Sequence, residues 1–435
     1  MNTITHIDQA RAAVLDLLMQ HTRKKKTIRQ ALLIEDLFAR LRVVLWEDEN
    51  IPDDIKEAIR RDLVEAGGPF GAGCAWYNDI SQPGSIDRLA LDEAWNKARK
   101  FAPKIRISLR YRRGNWLNPM LAAPWEKDSH TRIVSFYSLK GGVGRTTALA
   151  AFAIQRARQG EKVAVLDLDL DAPGAGTLLN PEAGTIGAPW GIVDYLLEQS
   201  VLKTPNLRDY YYLCSRPEIT HQGTLYVFPA GAYNEHYLGK LARVDIELLS
   251  NSHTHPLIAL LEQIRSELNP DWLLIDSRAG LSEVAGLGLS GIAHLNVLFG
   301  TFSEQSWLGL QQIIQRFGKE RIHNDQPQVD CLLVQAMTPA NPTLARLAEQ
   351  DFAKRAEDIF RKLYFVKNPQ NPEEDKFWYI RDIDNTDAPH IPIAIHYSDA
   401  LAFFHSLGDI ADRLARDDDY VKLSQRIVGR FRKAA

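Results

Sequence analysis

From Arg132 to about Leu414 short apolar runs alternate with stretches of helical apolar spacing, with no internal sequence repeat. The runs fall at Ile133–Tyr137, Val163–Leu168, Leu225–Phe228, Trp272–Ile275, Asn296–Gly300, Asp330–Val334 and Ile391–Ile395. Near-continuous apolar character, without in/out alternation, is the pattern of strands buried on both faces. Such a rhythm folds as α/β, a mostly parallel sheet flanked by helices on both faces. A long helix is predicted over Thr343–Leu363, followed by a polar loop at Asn368–Asp375.

The 435 residues exceed what one such sheet needs, and the first 116 read as a separate small α/β domain. Apolar spacing predicts helices over Ile7–Gln20, Thr27–Arg40, Ile55–Ala66 and Leu91–Phe101, with Pro52 and Gly67 bounding the third. Strands are expected at Val43–Leu45, Gly73–Tyr77 and Ile105–Arg112; the last alternates so that Arg106, Arg110 and Arg112 share a face. Residues 117–131, with Asn118-Pro119 and a polar run ending at His130, read as a linker, 132–414 as the main domain and 415–435 as a basic amphipathic helix. That tail, the Arg106 face and the run Arg23–Lys26 are the basic features open to DNA, membrane or partner; plain solvation or packing is the competing reading of each.

Composition narrows the class. With 45% hydrophobic and 25% charged residues the chain can bury substantial cores, and its net charge of −3 gives no global attraction to nucleic acid or anionic lipid. Cys74, Cys214 and Cys331 stand apart with no CxxC spacing, against a disulfide framework, an iron–sulfur site or a structural zinc. That cysteine pattern fits the cytoplasm best, and no apolar stretch is long enough to span a bilayer. His253 and His255 sit just before Pro256 and read as a helix start, since no carboxylate or cysteine cluster accompanies them.

The segment Lys140-Gly141-Gly142-Val143-Gly144-Arg145-Thr146-Thr147 leaves a predicted strand and enters a predicted helix, Thr146–Arg158. Glycines allow backbone N–H groups to close around phosphate oxygens, and the helix N-terminus adds its positive end. The loop departs from GxxxxGK[ST] at two places, with Leu139 at the first glycine and Arg145 at the lysine.

This loop resembles the deviant phosphate loop of the MinD/ParA family of P-loop ATPases. Three further segments match in order: the strand ending Asp167-Leu168-Asp169, the strand ending Asp276-Ser277-Arg278-Ala279-Gly280, and Ile393–Ala400 beside the base. The resemblance covers about Arg132 to Leu414 and implies ATP and Mg²⁺. It assigns the loop residues Gly141 to Thr147 to the phosphates, with Arg145 on the β and γ groups, Thr146, Asp167 and Asp276 to the metal, and Asp169 to the attacking water, with Asp171 as a rival. Gly280 would offer an N–H near the γ-phosphate, Gln335 and Pro392 would line the adenine pocket, and Lys140 would reach across a homodimer formed on ATP binding. Arg278 stands where the family has proline. Arginine at 145 keeps the charge but is bulkier than an ammonium, so slow turnover is expected.

KGGVGRTT, DLDLDAPG and DSRAG together are similar to a bacterial subgroup often coupled to conflict or signalling modules. That implies an ATPase switch coupled to a partner protein through the N-terminal module, in antiphage defence or stress signalling. The alternatives are a ParA-like cargo- or DNA-positioning ATPase and a non-hydrolysing ATP-binding scaffold.

Overall fold

A computed structural model describes residues 4, 6–24, 28–47, 51–80, 86–110, 130–179, 190–199, 201–202, 204–214, 216–244, 256–282, 285–286, 289, 291–323, 326–367, 378–402 and 407–432. Most of the expected linker, Lys25, Lys26, Arg112, His253, His255 and the polar loop at 368–375 lie outside the described residues. The chain divides into two compact units, Met1–Gly114 and Asn115–Ala435.

The smaller unit has strands β1 (Ile28–Glu35), β2 (Leu41–Glu47), β3 (Gly71–Trp76), β4 (Arg99–Ala102) and β5 (Ile105–Leu109), in the sheet order β3-β2-β1-β5-β4. Helices α1 (Ile7–Lys24) and α2 (Asp53–Ala66) cover one face, where Val14, Leu18, Ile59 and Leu63 meet Ile28, Leu33 and Val43. Helix α3 (Ile86–Lys97) brings Leu91 and Trp95 against Leu32, Ile34, Val44 and Trp46 on the other.

The helix expected over Thr27–Arg40 is instead β1. This strand is central, so Leu32 and Leu33 are both buried, on opposite faces. An unbroken apolar run carries no period by which strand and helix can be told apart. The strand stops at a turn in which the Asp36 carboxylate accepts from the Phe38 and Arg40 amides, both at 2.9 Å. The helix expected to reach Phe101 ends at Lys97, and Arg99–Ala102 pairs antiparallel with β5. Arg106 is turned onto α3, its guanidinium 4.8 Å from the Trp95 ring centre and donating to the Trp95 carbonyl.

In the larger unit all seven expected runs join one sheet. Its strands are β6 (Arg132–Ser138), β7 (Lys162–Leu168), β8 (Tyr212–Cys214), β9 (Thr224–Phe228), β10 (Trp272–Ser277), β11 (Leu295–Gly300), β12 (Cys331–Thr338) and β13 (Ile393–His396). The order is β13-β12-β11-β6-β10-β7-β9-β8, parallel throughout except β8, which pairs antiparallel with β9 at the edge. Three residues were too short to show a pattern, so β8 was not expected. One face is covered by α4 (Arg145–Arg158), and the other by α5 (Pro256–Leu268), α6 (Glu304–Gln315) and α7 (Pro342–Leu363).

The C-terminal segment is part of this core. Helix α8 (Leu407–Arg416) and helix α9 (Asp418–Arg432) share a buried cluster with α4: Leu414, Tyr420, Leu423 and Ile427 lie with Phe152 and Val134. The ring of Phe431 meets Trp272 edge-on at 5.3 Å, and Arg430 donates to Asp330 at 3.1 Å while lying over Trp378. The apolar stripe is therefore taken up by the helix's own unit. Ile427→Ala should lower unfolding free energy by about 2–5 kcal/mol in urea titrations, as a core truncation does; an unchanged midpoint would mean that α9 is a loosely attached tail.

Candidate nucleotide site

Parallel strands deliver their C-terminal ends to one rim, and β6 lies in the middle of the sheet. The loop leaving β6 enters α4 at Arg145, with Gly144 as the N-cap and no side-chain cap. Gly142 and Gly144 have φ of +72° and +81°, where a side chain would be strained. A Cβ placed on Gly141, Gly142 or Gly144 would meet nothing within 4 Å, so no neighbouring group crowds these glycines. A helix N-terminus with no side-chain cap, entered through uncrowded glycines, fits a phosphate.

Leu139 replaces the usual first glycine at little structural cost because of Gly309 on α6. A Cβ on Gly309 would lie 2.2 Å from the Leu139 side chain, so the missing side chain makes room for the leucine. Sequence reading did not find this pairing; a glycine inside an amphipathic helix was the available signal.

Arg145 turns inward. Its Nε donates to Asp276 Oδ1 at 2.6 Å and its Nη2 to Asp169 Oδ2 at 3.0 Å, and the side chain is only 7% exposed. Thr146 Oγ1 donates to the second Asp276 oxygen at 2.7 Å. Arg145, expected on the β and γ phosphates, is here held by two desolvated carboxylates, which bind the guanidinium more strongly than solvent would. Asp276 is fully buried, and burial raises its pKa while Arg145 and Thr146 pull it back. For Arg145 burial works against the charge, yet the two aspartates outweigh it and raise the pKa.

Asp167 pairs in register with Asp276 across β7 and β10. Its oxygens accept from the amides of Gly174 at 3.0 Å, Gly176 at 2.9 Å and Asp169 at 3.2 Å. Burial, then the charge of Asp276, push its pKa up to about 7 against the pull of the Gly176 amide. Asp167, expected to support the metal, here anchors the 169–176 loop. Among the described residues no group of three or more His, Cys, Asp or Glu is arranged to hold a metal. Hard oxygens from Thr146 and Asp276 fit a magnesium ion, but only one that takes its remaining ligands from phosphate and water.

Gly280, with φ of +81°, donates its N–H to the Ser138 carbonyl at 3.1 Å, and its own carbonyl accepts from Tyr137 Oη at 3.1 Å. The amide expected near a γ-phosphate here ties the loop after β10 to β6. Lys140 is half-buried, and among the described residues its ammonium has no ion-pair partner. Asp171 pairs with Arg278 at the rim. Gln335 and Pro392 come together in a different cleft, of about 720 Å³, also lined by Glu349, His396 and Arg426; none of residues 140–147 lines it.

Fold and loop define a P-loop nucleotide-binding domain. Residues 134–329 match the family described as the CobQ/CobB/MinD/ParA nucleotide binding domain, so this part of the larger unit is similar to a MinD/ParA-type P-loop ATPase domain. An uncharacterized ATP-binding protein of Methanocaldococcus jannaschii is 27% identical over 150 residues, 34% of this chain and 46% of that protein. The match thus spans under half of that relative's length. Similar solved structures include a plasmid partition protein of Borrelia burgdorferi (14% identity, 70% of this chain and 99% of that chain, TM-score 0.42). The septum site-determining protein MinD of Pyrococcus horikoshii with Mg-ADP gives 16%, 70%, 97% and 0.41. Cobyrinic acid a,c-diamide synthase of Mycobacterium smegmatis, with an ATP analog and magnesium, gives 18%, 70%, 97% and 0.41.

No helix among the described residues is long and apolar enough to cross a membrane. Arg145→Ala should lower stability by about 3–5 kcal/mol in urea titrations, because Asp276 and Asp169 are left buried without their cation. A loss under about 1 kcal/mol would mean that the guanidinium contributes little to the fold.

Proposed function

We propose that this protein is a Mg²⁺-ATP-dependent ATPase switch that forms a homodimer on binding ATP and passes its nucleotide state to a partner protein through residues 1–116. The observation that carries the reading is the network Arg145–Asp276–Thr146 beside the uncrowded glycines 141, 142 and 144 at the N-terminus of α4, which has no side-chain cap. The family match and the ATP-binding relative support adenine nucleotide. On this reading the backbone from Gly141 to Thr147 wraps the phosphates. Thr146 and Asp276 hold magnesium, and Asp167 keeps the neighbouring loop in place.

Bound magnesium would supply Lewis-acid neutralisation of phosphate charge. The chain's own residues do the rest. Asp169 lies one residue past the C-terminal end of β7 and is held by Arg145, where it can orient a water and take its proton. Arg145 stabilises the acids that position the metal and keeps water-accessible charge low; its commitment to them is why turnover should be slow. Lys140, with no ion-pair partner among the described residues, can reach a partner's phosphates in a homodimer. Gln335 and Pro392 act at the adenine only if their cleft communicates with the loop.

The test is mass by light scattering together with phosphate release, with and without Mg²⁺-ATP. The wild type should double its mass and release phosphate slowly, and Asp169→Ala should release it at least about a hundredfold more slowly while still doubling. Lys140→Ala should bind ATP and stay monomeric. Binding without phosphate release at high protein concentration would establish the scaffold reading, and ATP-dependent, steeply salt-sensitive binding to nonspecific DNA would establish the cargo-positioning one. The setting we infer from the loop subgroup is antiphage or stress signalling. It requires that Asp169→Ala abolish protection of infected cells; full protection by that variant would remove it.

A further inference from the structure

Strands β7 and β10 pair in register through Asp167 with Asp276 and Leu168 with Ser277. The next residue out of each strand is Asp169 on one side and Arg278 on the other, so Arg278 leaves the sheet beside the residue proposed to handle the attacking water. Two residues further along its own loop, Gly280 is tied to β6 by its amide to Ser138 and by Tyr137 Oη to its carbonyl. The base of Arg278 is therefore fixed to the strand that launches the phosphate loop.

Its side chain is held differently. The guanidinium pairs with Asp171 at the rim, and the two side chains are 35% and 38% exposed. Exposed pairs of this kind are weak, because both ions keep much of their hydration and salt screens them. Arg145, by contrast, is locked between two buried carboxylates. The site thus carries one arginine that is committed and one that a stronger anion can take. A phosphate oxygen group, with more charge than one carboxylate and three acceptors, is such an anion.

We propose that Arg278 is a catalytic arginine supplied within the chain, which exchanges Asp171 for the terminal phosphate of bound ATP. This rests on the ATPase reading above and deepens it. In hydrolysis the bond from a water oxygen to the γ-phosphorus forms while the bond to the bridging oxygen breaks, its electron pair leaving with ADP. Asp169 takes the water proton. Arg278 transfers no proton; its forked N–H groups donate to the equatorial oxygens as charge spreads over them. Asp171 keeps the arginine parked until a triphosphate is present.

The experiment is calorimetry with ATP and with ADP, each with magnesium, alongside phosphate release, on the wild type, Arg278→Ala, Arg278→Lys and Asp171→Ala. Arg278→Ala should bind ATP at least about tenfold more weakly, keep ADP affinity, and release phosphate at least about a hundredfold more slowly. Retained ADP binding shows that this variant is folded. Arg278→Lys should recover part of the ATP affinity, and Asp171→Ala should bind ATP as tightly as the wild type or more so. Equal losses in Arg278→Ala and Asp171→Ala for both nucleotides would make the pair a structural clasp and overturn the assignment. So would an Arg278→Ala protein that distinguishes ATP from ADP as the wild type does. A wild type that binds neither nucleotide would overturn the ATPase reading and the assignment with it.

Discussion

One buried guanidinium organises the site. Arg145 lies between Asp276 and Asp169, and without it the ends of β7 and β10 would bring three carboxylates together in a region with little water. The desolvation of an ion pair can exceed its attraction, so such a group is seldom kept for stability alone. Here the geometry is favourable: a short bond from Nε to one Asp276 oxygen, Thr146 on the other, and a second bond to Asp169. The arginine fixes the acids in place, at the cost of its own freedom to follow a phosphate.

The rest of the site follows from strand order. With β6 between β10 and β11, the glycine loop opens at the centre of the rim. In-register pairing of β10 with β7 then brings Asp276 opposite Asp167. Tyr137 and Ser138 at the end of β6 bind the loop after β10, so the strand that launches the phosphate loop and the acid-bearing loop are joined by one backbone hydrogen bond and one from the Tyr137 hydroxyl. Leu139 over Gly309 joins α6 to the same frame. A site built from strand ends has the stiffness that charge recognition needs.

Much of the larger unit was legible because buried parallel strands announce themselves as apolar runs, and glycines before a helix announce an anion site. What sequence did not carry was direction. Arg145 was expected to face outward and Gly280 to donate outward, yet both spend their donors inside, on Asp276 and Asp169 and on Ser138. Neither choice has a local pattern; each depends on which carboxylate or carbonyl the sheet brings near. The smaller unit was less legible for a related reason. β1 is apolar on both faces like a buried helix, and only its central place in the sheet decides between them. The tail read as basic and amphipathic, but Asp330 and the core beneath α9 determine where that helix goes.

The most direct test of the account is amide hydrogen exchange across Gly141–Thr147, measured on the full chain with and without Mg²⁺-ATP. Backbone N–H groups that wrap a triphosphate should exchange far more slowly in its presence, and the slowing should center on that loop. Exchange there that is the same with saturating Mg²⁺-ATP as without it would contradict the claim on which the site's whole chemistry depends.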